Sequence, residues 1–505
     1  MTAGPLSARV ADLCQEVGHR LGGTTQTQVF DVRRRLGEPL RVAIAGRLKA
    51  GKSTLVNALI GRRVAPTEVG ECTRLVTQFR YGTSDRVDVV RKNGSKVSLP
   101  LDDAGMIPQR LGVPRSEIGY VDVTLTSDHL RDLTVVDTPG LSSANTSVSD
   151  QARRFLFSEA AAPLDDDLDD DSASALSGAE AIVYVFTQSV REDDVQALEA
   201  FRSMSARLSS NPINSIGLFN KVDKLAGGGA DPWPVALPLA VDQGKVLRRV
   251  ISDVVPVVGL LAETTEAGRL TAADCEALRA LARLPDGERA VLLASVDLFT
   301  SRACTVSREA RERLLRLLDL YGISFAIAQL VGSPQLATGE LVRLLFQASG
   351  FPRLRQTVEV AFRWRADAIK AGWALSSLEK IASHAHTPFA RELLRDAVER
   401  VLQEPEYHRL RLLEVAQLVT TGAVDLPDQM EGELTRLALS NDPGWILNLP
   451  QARPEHLVKA ALEAASRWRA YAVSGASPAQ SRVALVAHRG FYLLSQRMRG
   501  HAGLR

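Results

Sequence analysis

The chain has 505 residues, too many for one ordinary hydrophobic core, so two or three domains are expected. Its formal net charge is only +2, which argues against a general attraction to nucleic acid and allows only local basic surfaces. The cysteines, at positions 14, 72, 275 and 304, are widely spaced, which indicates neither a metal site nor a disulfide framework and fits a reducing cytosol.

The first predicted element is an amphipathic helix near the N-terminus. Apolar residues repeat at helical spacing at Leu6, Val10, Leu13, Val17 and Leu21. Gly22 and Gly23 end this helix, and a second short helix is expected before Gly37. The apolar stripe needs a partner, which either the C-terminal helices or the following domain could provide.

A strand–loop–helix motif follows. Apolar residues around Val42 and Ile44 lead into G-x-x-x-x-G-K-S, and a helical pattern continues after it. This is the phosphate-binding loop of nucleoside triphosphatases, in which backbone N–H groups and a helix N-terminus surround phosphate oxygens. Lys52 is expected to reach the β- and γ-phosphates, and Ser53 to ligate Mg²⁺. The residues predicted to bind the nucleotide here are Gly46, Lys49, Ala50, Gly51, Lys52, Ser53 and Thr54.

A second apolar strand ends in D-x-x-G at residues 137–140. Its Asp137 carboxylate is expected to hold Mg²⁺, and the Gly140 amide to contact the γ-phosphate. Between this motif and the phosphate-binding loop, Thr67 and Thr73 are both candidates for a threonine that closes over the nucleotide and ligates Mg²⁺. The residue types alone do not decide between them, because threonine is also common in ordinary loops.

A third strand runs into Asn220, Lys221 and Asp223, which form the N-K-x-D pattern of GTPases. The Asp223 carboxylate would accept two hydrogen bonds from the N1 and N2 edge of guanine, which adenine cannot offer. The three motifs together predict GTP and GDP as ligands and Mg²⁺ as cofactor. Residues 257–259 occupy the place of the last guanine-contacting loop.

Residues 61–74 have the switch I spacing of dynamin-type GTPases, and residues 46–59 resemble those of bacterial dynamin-like proteins. Within that group the chain is most similar to the actinobacterial isoniazid-inducible IniC type, over motifs that cover about residues 41–223. The resemblance makes Thr73 the switch threonine. Lys49 stands where eukaryotic dynamins carry a serine that assists catalysis together with a monovalent cation. The Lys49 ammonium could replace that cation, or the side chain could simply be solvated.

Leu141 follows the D-x-x-G motif, where small GTPases often place a glutamine. Leucine cannot hydrogen-bond water, so Thr73, backbone atoms or a second molecule must position the attacking water. The dynamin resemblance implies paired GTPase domains, and therefore a low basal turnover that self-association stimulates. Arg47 and Arg74 are either arginine fingers or ordinary surface residues. The predicted catalytic residues are Lys52, Thr73 and Lys49.

Apolar strands alternate with helical stretches, which predicts an α/β P-loop GTPase domain with a mainly parallel sheet and helices on both faces. The predicted strands are Val42–Ala45, Leu75–Tyr81, Val87–Arg91, Leu133–Val136, Ile182–Phe186, Ile216–Phe219 and Val254–Val258. A run of aspartates at 165–171 favours a solvated, self-repelling loop over a metal site.

From about residue 262 the pattern is helical, which predicts an all-α helical bundle. Apolar stripes at helical spacing lie within residues 358–373, 457–471 and 483–498. In dynamins, helices that flank the GTPase domain pack together with the C-terminal helix. The expected division is therefore 1–37 as N-terminal helices joining the bundle, 38–357 as the dynamin-type GTPase domain, and 358–505 as a helical neck and trunk. The alternative is that the N-terminal helix packs on the GTPase domain.

The dynamin resemblance also implies lipid contact at a loop far from the nucleotide. Residues 421–427 and 443–450 have the required apolar composition, although a buried loop tryptophan is the alternative to an inserted one. Arg409 and Arg411 either attract anionic headgroups or are solvated helix residues. The candidate membrane-contacting residues are Val424, Leu426, Trp445, Ile446 and Leu447.

Residues 1–9 lack the apolar region of a signal peptide, and no apolar run is expected to approach the roughly 18 residues of a membrane-spanning helix. A cytoplasmic protein is therefore expected, and the dynamin resemblance implies peripheral association with the inner face of the plasma membrane. The leading hypothesis is a dynamin-like GTPase that remodels membranes, by fission or fusion, through nucleotide-dependent self-association. Its expected partners are GTP, a second copy of the chain, an anionic lipid surface and a paralogous dynamin-like protein. The alternatives are a regulatory GTPase switch that binds a protein or ribosomal partner, and a GTP-bound scaffold.

Overall fold

The computed structural model of the protein divides into an α/β domain and two groups of helices. It describes residues 4–47, 49–66, 75–138, 179–187, 190, 194–195, 198, 214–247, 250–359, 362, 366–420, 422, 424–440, 442–474 and 476–502. The N-terminal segment forms two helices, which are α1 (Pro5–Gly18) and α2 (Gly23–Leu36). Gly22 and Gly37 flank α2, as the glycine pattern of the sequence predicts.

The α/β domain is built on a nine-stranded sheet with the order β4-β3-β5-β2-β6-β1-β7-β8-β9. The strands are β1 (Leu40–Gly46), β2 (Thr77–Tyr81), β3 (Arg86–Arg91), β4 (Lys96–Leu99), β5 (Ile118–Leu125), β6 (Leu133–Asp137), β7 (Ala181–Phe186), β8 (Ser215–Asn220) and β9 (Val254–Val257). The half of the sheet from β6 through β1 to β9 is parallel. Antiparallel pairs join β2 to β6, and β3 to both β4 and β5, so the sheet is mixed.

Two strands, β4 and β5, are absent from the sequence-based prediction. In β5, buried Val121 and Val123 alternate with polar Asp122 and Thr124, and the polar residues weaken the apolar signal. Asp122 is itself buried, because Arg80 pairs with its carboxylate at 2.7 Å. The sheet is therefore wider on this side than the apolar runs alone indicate.

The α/β domain carries nine described helices. They are α3 (Lys52–Ile60), α4 (Trp233–Leu247), α5 (Gly259–Glu266), α6 (Ala272–Ala282), α7 (Asp286–Leu293), α8 (Val296–Ser301), α9 (Arg308–Gly332), α10 (Thr338–Ala348) and α11 (Phe351–Val358). Alternate residues of β1 point to opposite faces of the sheet: Ala43 and Ala45 enter a core shared with α4 and α6–α10. Val42 and Ile44 enter a second core shared with α3 and α11. Both faces are covered, as buried parallel strands require.

The C-terminal helices have two cores of their own. They are α12 (Ala366–His384), α13 (Pro388–Leu402), α14 (Pro405–Thr420), α15 (Asp428–Leu439), α16 (Pro443–Ile446), α17 (Pro454–Val473) and α18 (Pro478–Ala502). A third core joins α1 and α2 to α12 and α13, and a fourth lies among α14–α18. The sequence predicted one continuous bundle. In the structure the apolar stripes of these helices pack into two separate cores instead.

Polar contacts attach the N-terminal helices to the C-terminal part. The backbone N–H groups of Leu6 and Ser7 donate to the Asp367 carboxylate at 3.0 and 2.8 Å, which satisfies donors at the start of α1. Tyr407 donates its hydroxyl proton to the Leu6 carbonyl oxygen at 3.0 Å. The apolar stripe of α1 is thereby covered by helices more than 350 residues away in the sequence.

A buried ionic network joins these helices to the sheet. Glu180, just before β7, accepts from the Arg35 guanidinium at 3.3 Å and from the Arg41 N–H at 2.8 Å. Arg35 also lies 4.8 Å from the centre of the Trp373 ring. The Lys370 ammonium donates to the Glu38 carbonyl oxygen at 2.7 Å. This network, which contains residues of α2, β1 and α12, is the polar centre of the junction.

Among the described residues one helix, α9, is long and apolar enough by length and composition to cross a membrane. The expectation that no apolar run approaches this length was therefore wrong. More than half of the apolar window is buried, and Leu314, Ile323 and Leu330 belong to the core on one face of the sheet. The helix is apolar because it packs inside the α/β domain.

Candidate nucleotide-binding site

The G-x-x-x-x-G-K-S loop joins the end of β1 to the start of α3. Gly46 has φ 144° and Gly51 has φ 91°, a region that side chains rarely adopt. A Cβ on Gly46 would lie 2.2 Å from the Val185 carbonyl oxygen, and one on Gly51 would lie 2.4 Å from Asn220 Nδ2. Both glycines are therefore required by the backbone and by the neighbouring strands, and the N–H groups of α3 open toward the loop.

Lys52 lies inside this loop. Its Nζ donates to the carbonyl oxygens of Gly46 at 3.2 Å and Arg47 at 2.9 Å. Burial lowers the pKa of Lys52, and the negative charge of Asp137 opposes that shift. A cation is thus held at the centre of the loop, where phosphate oxygens bind in P-loop proteins.

Ser53 and Asp137 meet at the end of β6. The Ser53 hydroxyl donates to Asp137 Oδ2 at 2.8 Å. Asp137 Oδ1 is buried and accepts no hydrogen bond from the described part of the chain. Burial raises the pKa of Asp137 to about 6, although Lys52 and the Ser53 hydroxyl act in the opposite direction. The Ser53 hydroxyl therefore lies beside the Asp137 carboxylate, whose Oδ1 is available to a metal ion. Hydroxyl and carboxylate oxygens are ligands that suit Mg²⁺.

Asn220 connects three loops at the carboxyl ends of the parallel strands. Its Nδ2 donates to the Ala50 carbonyl oxygen at 2.8 Å, which holds the phosphate-binding loop. Its Oδ1 accepts from the N–H of Gly259 at 3.0 Å and from that of Lys221 at 2.8 Å. Residues 257–259, which the sequence assigned by position alone, therefore lie directly beside the N-K-x-D segment.

Two lysines in left-handed conformation also meet here. Lys49 has φ 64° and Lys221 has φ 60°. Lys221 Nζ donates to the Lys49 carbonyl oxygen at 2.9 Å, so a side chain of one loop is bonded to the main chain of the other. The side chain of Lys49 is exposed, which is compatible with both hypotheses about its ammonium group.

Asp223 lies just after Lys221, and its side chain is only 7% exposed. Burial raises the pKa of Asp223, and the charge of Asp319 raises it further. Lys224 Nζ is 4.0 Å from Asp223 Oδ2. A largely buried carboxylate with acceptor capacity to spare can select a ligand that offers paired donors.

Several predicted residues lie outside the described residues. These are Thr67, Thr73, Arg74, Gly140, Leu141 and the aspartates of 165–171.

Arg47 is described, and its guanidinium Nε donates to buried Asp194 at 2.9 Å. Tyr184 donates to the same carboxylate at 2.7 Å. Arg47 is engaged within its own chain in this structure, which favours a structural role over an arginine finger.

One buried pair at the site has no signal in the sequence. Asn57 Oδ1 accepts from the N–H groups of Val64 and Ala65 at 3.0 and 2.8 Å, and Asn57 Nδ2 donates to Glu263 at 2.7 Å. Arg269 in turn donates to Glu263 at 3.2 Å. The segment that leads into residues 67–74 is thereby attached to α3 and α5. Asn57 could be noticed in the helix after the loop, but its partner lies 206 positions away.

The candidate membrane loops are corrected in part. Val424 and Ile446 are buried in the core of α14–α18, and Leu426 and Leu447 pack against it. Trp445 is 47% exposed and Leu449 is 39% exposed. Arg411 is exposed as well. Among the described apolar side chains of these two loops, Trp445 and Leu449 are therefore the exposed ones, because Ile446 is buried and Leu447 is partly buried.

Sequence comparison with known proteins agrees with these motifs. The model of the Dynamin family matches residues 42–222. The isoniazid-induced protein IniC of Mycobacterium tuberculosis is 31% identical over 458 residues, covering 89% of this chain and 88% of that protein. The bacterial dynamin-like protein of Nostoc punctiforme is 30% identical over 115 residues, or 20% of this chain and 16% of that protein. A solved structure of an oligomerised bacterial dynamin pair matches with a TM-score of 0.34 and 13% identity, covering 98% of this chain and 91% of that one.

Proposed function

Because this chain belongs to the dynamin family, as a bacterial dynamin-like GTPase of the IniC type, we propose that it couples GTP hydrolysis to self-association and to the remodelling of membranes. The observation that carries the proposal is the convergence of Lys52, Ser53, Asp137 and Asn220 on one loop. Asp137 and Asn220 end strands β6 and β8, and Lys52 and Ser53 begin the helix after β1; the carboxyl ends of these three strands lie at the same edge of the sheet.

The proposed hydrolysis depends on positioning and charge rather than on a nucleophilic side chain. Lys52 and the N–H groups at the start of α3 would bind the β- and γ-phosphates. Ser53 and Asp137 would hold Mg²⁺, which neutralises developing phosphate charge when it is bound. At pH 7 and above Asp137 is mostly ionised even with a pKa of about 6, so its carboxylate is available as a ligand. Thr73 is proposed as the switch threonine.

Base selection is assigned to Asp223, supported by its burial and by its position beside Lys221. An ionised carboxylate there would be satisfied by guanine and left without donors by adenine, which disfavours ATP. The stem of Lys221 would cover the base, and Asn220 would hold residues 257–259 against it.

We propose further that the catalytic site is completed by a second copy of the chain. Leu141 cannot orient water, and the exposed Lys49 lies at the edge of the phosphate-binding loop, where a facing molecule could contact it. Turnover per molecule should therefore rise with protein concentration. A rate per molecule that stays constant across the accessible concentration range would contradict self-activation.

Membrane contact is assigned to the surface around α16, supported by exposed Trp445 and Leu449. In this proposal residues 1–37 and 358–505 form the helical neck and trunk, and residues 38–357 form the GTPase domain. The protein would work at the inner face of the plasma membrane. A paralogous dynamin-like protein is a further candidate partner.

The test is co-sedimentation with liposomes rich in anionic lipid, with and without GTP, and with turnover measured in the same tubes. Wild-type protein should sediment with the liposomes and hydrolyse GTP faster there. Trp445→Ser should lose most of the binding, whereas Leu485→Ser, an equally exposed residue on α18, should retain it. Absence of binding by the wild-type protein would favour the alternative of a regulatory GTPase switch.

A further inference from the structure

Helix α9 is interrupted at one residue beside the base-recognition segment. Asp319 has φ 52° and ψ 179°, whereas helical structure continues on both sides of it. This conformation is rare for any residue other than glycine, and it persists only where surrounding contacts maintain it. The interruption therefore needs specific contacts at Asp319.

The Asp319 carboxylate makes two such contacts. Its Oδ1 accepts from the N–H of Leu320 at 2.7 Å, which satisfies a donor that the interrupted helix leaves unpaired. Its Oδ2 contacts the ammonium group of Lys224, one residue after Asp223. The side chain thus links the break in α9 to the N-K-x-D segment.

The turn after this segment also lies tightly on α9. Gly229 has φ 76°, and a Cβ on it would lie 2.4 Å from Ser324 Oγ and 3.0 Å from the Leu320 carbonyl oxygen. Trp233 donates from Nε1 to the Tyr321 hydroxyl at 3.1 Å. Residues 224–233 are therefore attached to α9 at three successive places, and the position of Lys224 relative to Asp319 is well determined.

Asp223 and Asp319 share one ammonium group. Lys224 Nζ is in contact with Asp319 Oδ2 but lies 4.0 Å from Asp223 Oδ2, beyond hydrogen-bond distance. Lys224 is 56% exposed, so its flexible stem can reach either carboxylate at little cost. If Lys224 pairs with Asp319, the acceptor oxygens of Asp223 are available to a ligand. If Lys224 pairs with Asp223, they are not.

We propose that Asp319 is a positioning residue for guanine recognition, because it holds the Lys224 ammonium away from the Asp223 carboxylate. This inference rests on the proposed role of Asp223. Without the charge at position 319, Lys224 pairs with Asp223 and competes with the N1 and N2 donors of guanine. Asp319 then affects nucleotide affinity without touching the nucleotide.

The experiment is equilibrium binding of a fluorescent GTP analogue to the full chain, together with kcat and KM for GTP. Asp319→Asn should weaken binding about fivefold, the scale of one ion pair whose ammonium group stays solvent-exposed, with kcat nearly unchanged. Asn is nearly isosteric with Asp and adds no new backbone strain at this φ and ψ, so the fold is retained. The decisive variant is Asp319→Asn combined with Lys224→Gln, which should restore wild-type affinity because the competing cation is gone.

One further variant and a salt series keep the result interpretable. Asp319→Gly relieves the backbone and should weaken binding to the same extent while raising the melting temperature. The loss of GTP affinity in Asp319→Asn should also shrink at high salt, since the Lys224 ammonium is 56% exposed and salt screens its attraction to Asp223. Wild-type affinity in Asp319→Asn, or a double variant that stays weak, would overturn the inference.

The assignment of Asp223 is tested separately. Asp223→Asn should lose GTP binding and gain binding of xanthosine triphosphate, whose base presents an acceptor where guanine has the N2 donor. Unchanged GTP binding in this variant would refute the role of Asp223 itself. If Asp223→Asn behaves as expected but the combined Asp319 and Lys224 variant is not rescued, only the inference about Asp319 fails.

Discussion

Replacing Asp137 with asparagine should stabilise the protein in the absence of metal and nucleotide. Burial raises the pKa of Asp137 from 3.8 to about 6, so the folded state binds the proton more tightly than the unfolded chain does. The ionised carboxylate therefore destabilises the fold at neutral pH. Asparagine removes this charge and keeps an oxygen that can accept from Ser53.

The magnitude follows from the pKa difference. Two pKa units correspond to about 3 kcal/mol at pH 7.5, where Asp137 is ionised in both states. Stability falls as the pH rises from about 4 to about 6, because the folded state holds the proton over that interval. At pH 5 roughly half of this destabilisation remains, on the order of 1–2 kcal/mol. For a domain of this size, 3 kcal/mol is about 4 °C in melting temperature.

The assay is thermal unfolding in EDTA at pH 7.5 and pH 5, repeated with Mg²⁺ and GDP at pH 7.5. Asp137→Asn should melt above the wild type in EDTA, with a smaller advantage at pH 5. Mg²⁺ with GDP should raise the melting temperature of the wild type much more than that of the variant. Asp103→Asn, at an exposed position, is the matched control and should change little. A variant that melts below the wild type at pH 7.5 in EDTA would refute the reasoning.

Three other substitutions test the structure at separate places. Glu180→Leu should lower the free energy of unfolding by about 3–5 kcal/mol in urea titrations, because it leaves a buried guanidinium without its carboxylate. Adding Arg35→Met should recover part of the loss, since the Arg41 N–H still lacks the Glu180 acceptor, and an additive loss would argue against the pairing. Asn57→Ala should reduce GTP turnover more than nucleotide affinity, because its bonds hold the segment before residues 67–74; equal losses would contradict this role. Gly229→Ala should destabilise by about 1–3 kcal/mol in thermal melts, since φ is 76° there, and an unchanged melting temperature would count against the tight contact with α9.

Much of the nucleotide site could be predicted from local patterns. The phosphate-binding loop, D-x-x-G and N-K-x-D are short segments whose spacing follows from the backbone geometry that phosphate and guanine require. The structure brings Lys52, Ser53 and Asp137 together from strands that the apolar runs had already indicated. Such motifs can be recognised in a sequence because the residues that carry out each function lie within a few positions of one another.

The partners of Asn57 and Lys224 could not be predicted. Glu263 and Asp319 lie 206 and 95 positions away from them, and nothing in the sequence around either acid distinguishes it from a solvated residue. The same limit applies to Val424 and Ile446. Their loops have the composition of a membrane-contacting surface, but only the packing of α14–α18 determines which side chains face inward.

The sequence by itself determined the fold class, the class of nucleotide and the family resemblance, because strand periodicity and the three motifs depend on neighbouring residues. The tertiary structure alone decided the mixed order of the sheet, the division of the helices between two cores and the interruption of α9 at Asp319. Each of these depends on contacts between segments far apart in the chain. A charged side chain becomes buried, and so needs a partner, only when these distant segments pack against one another.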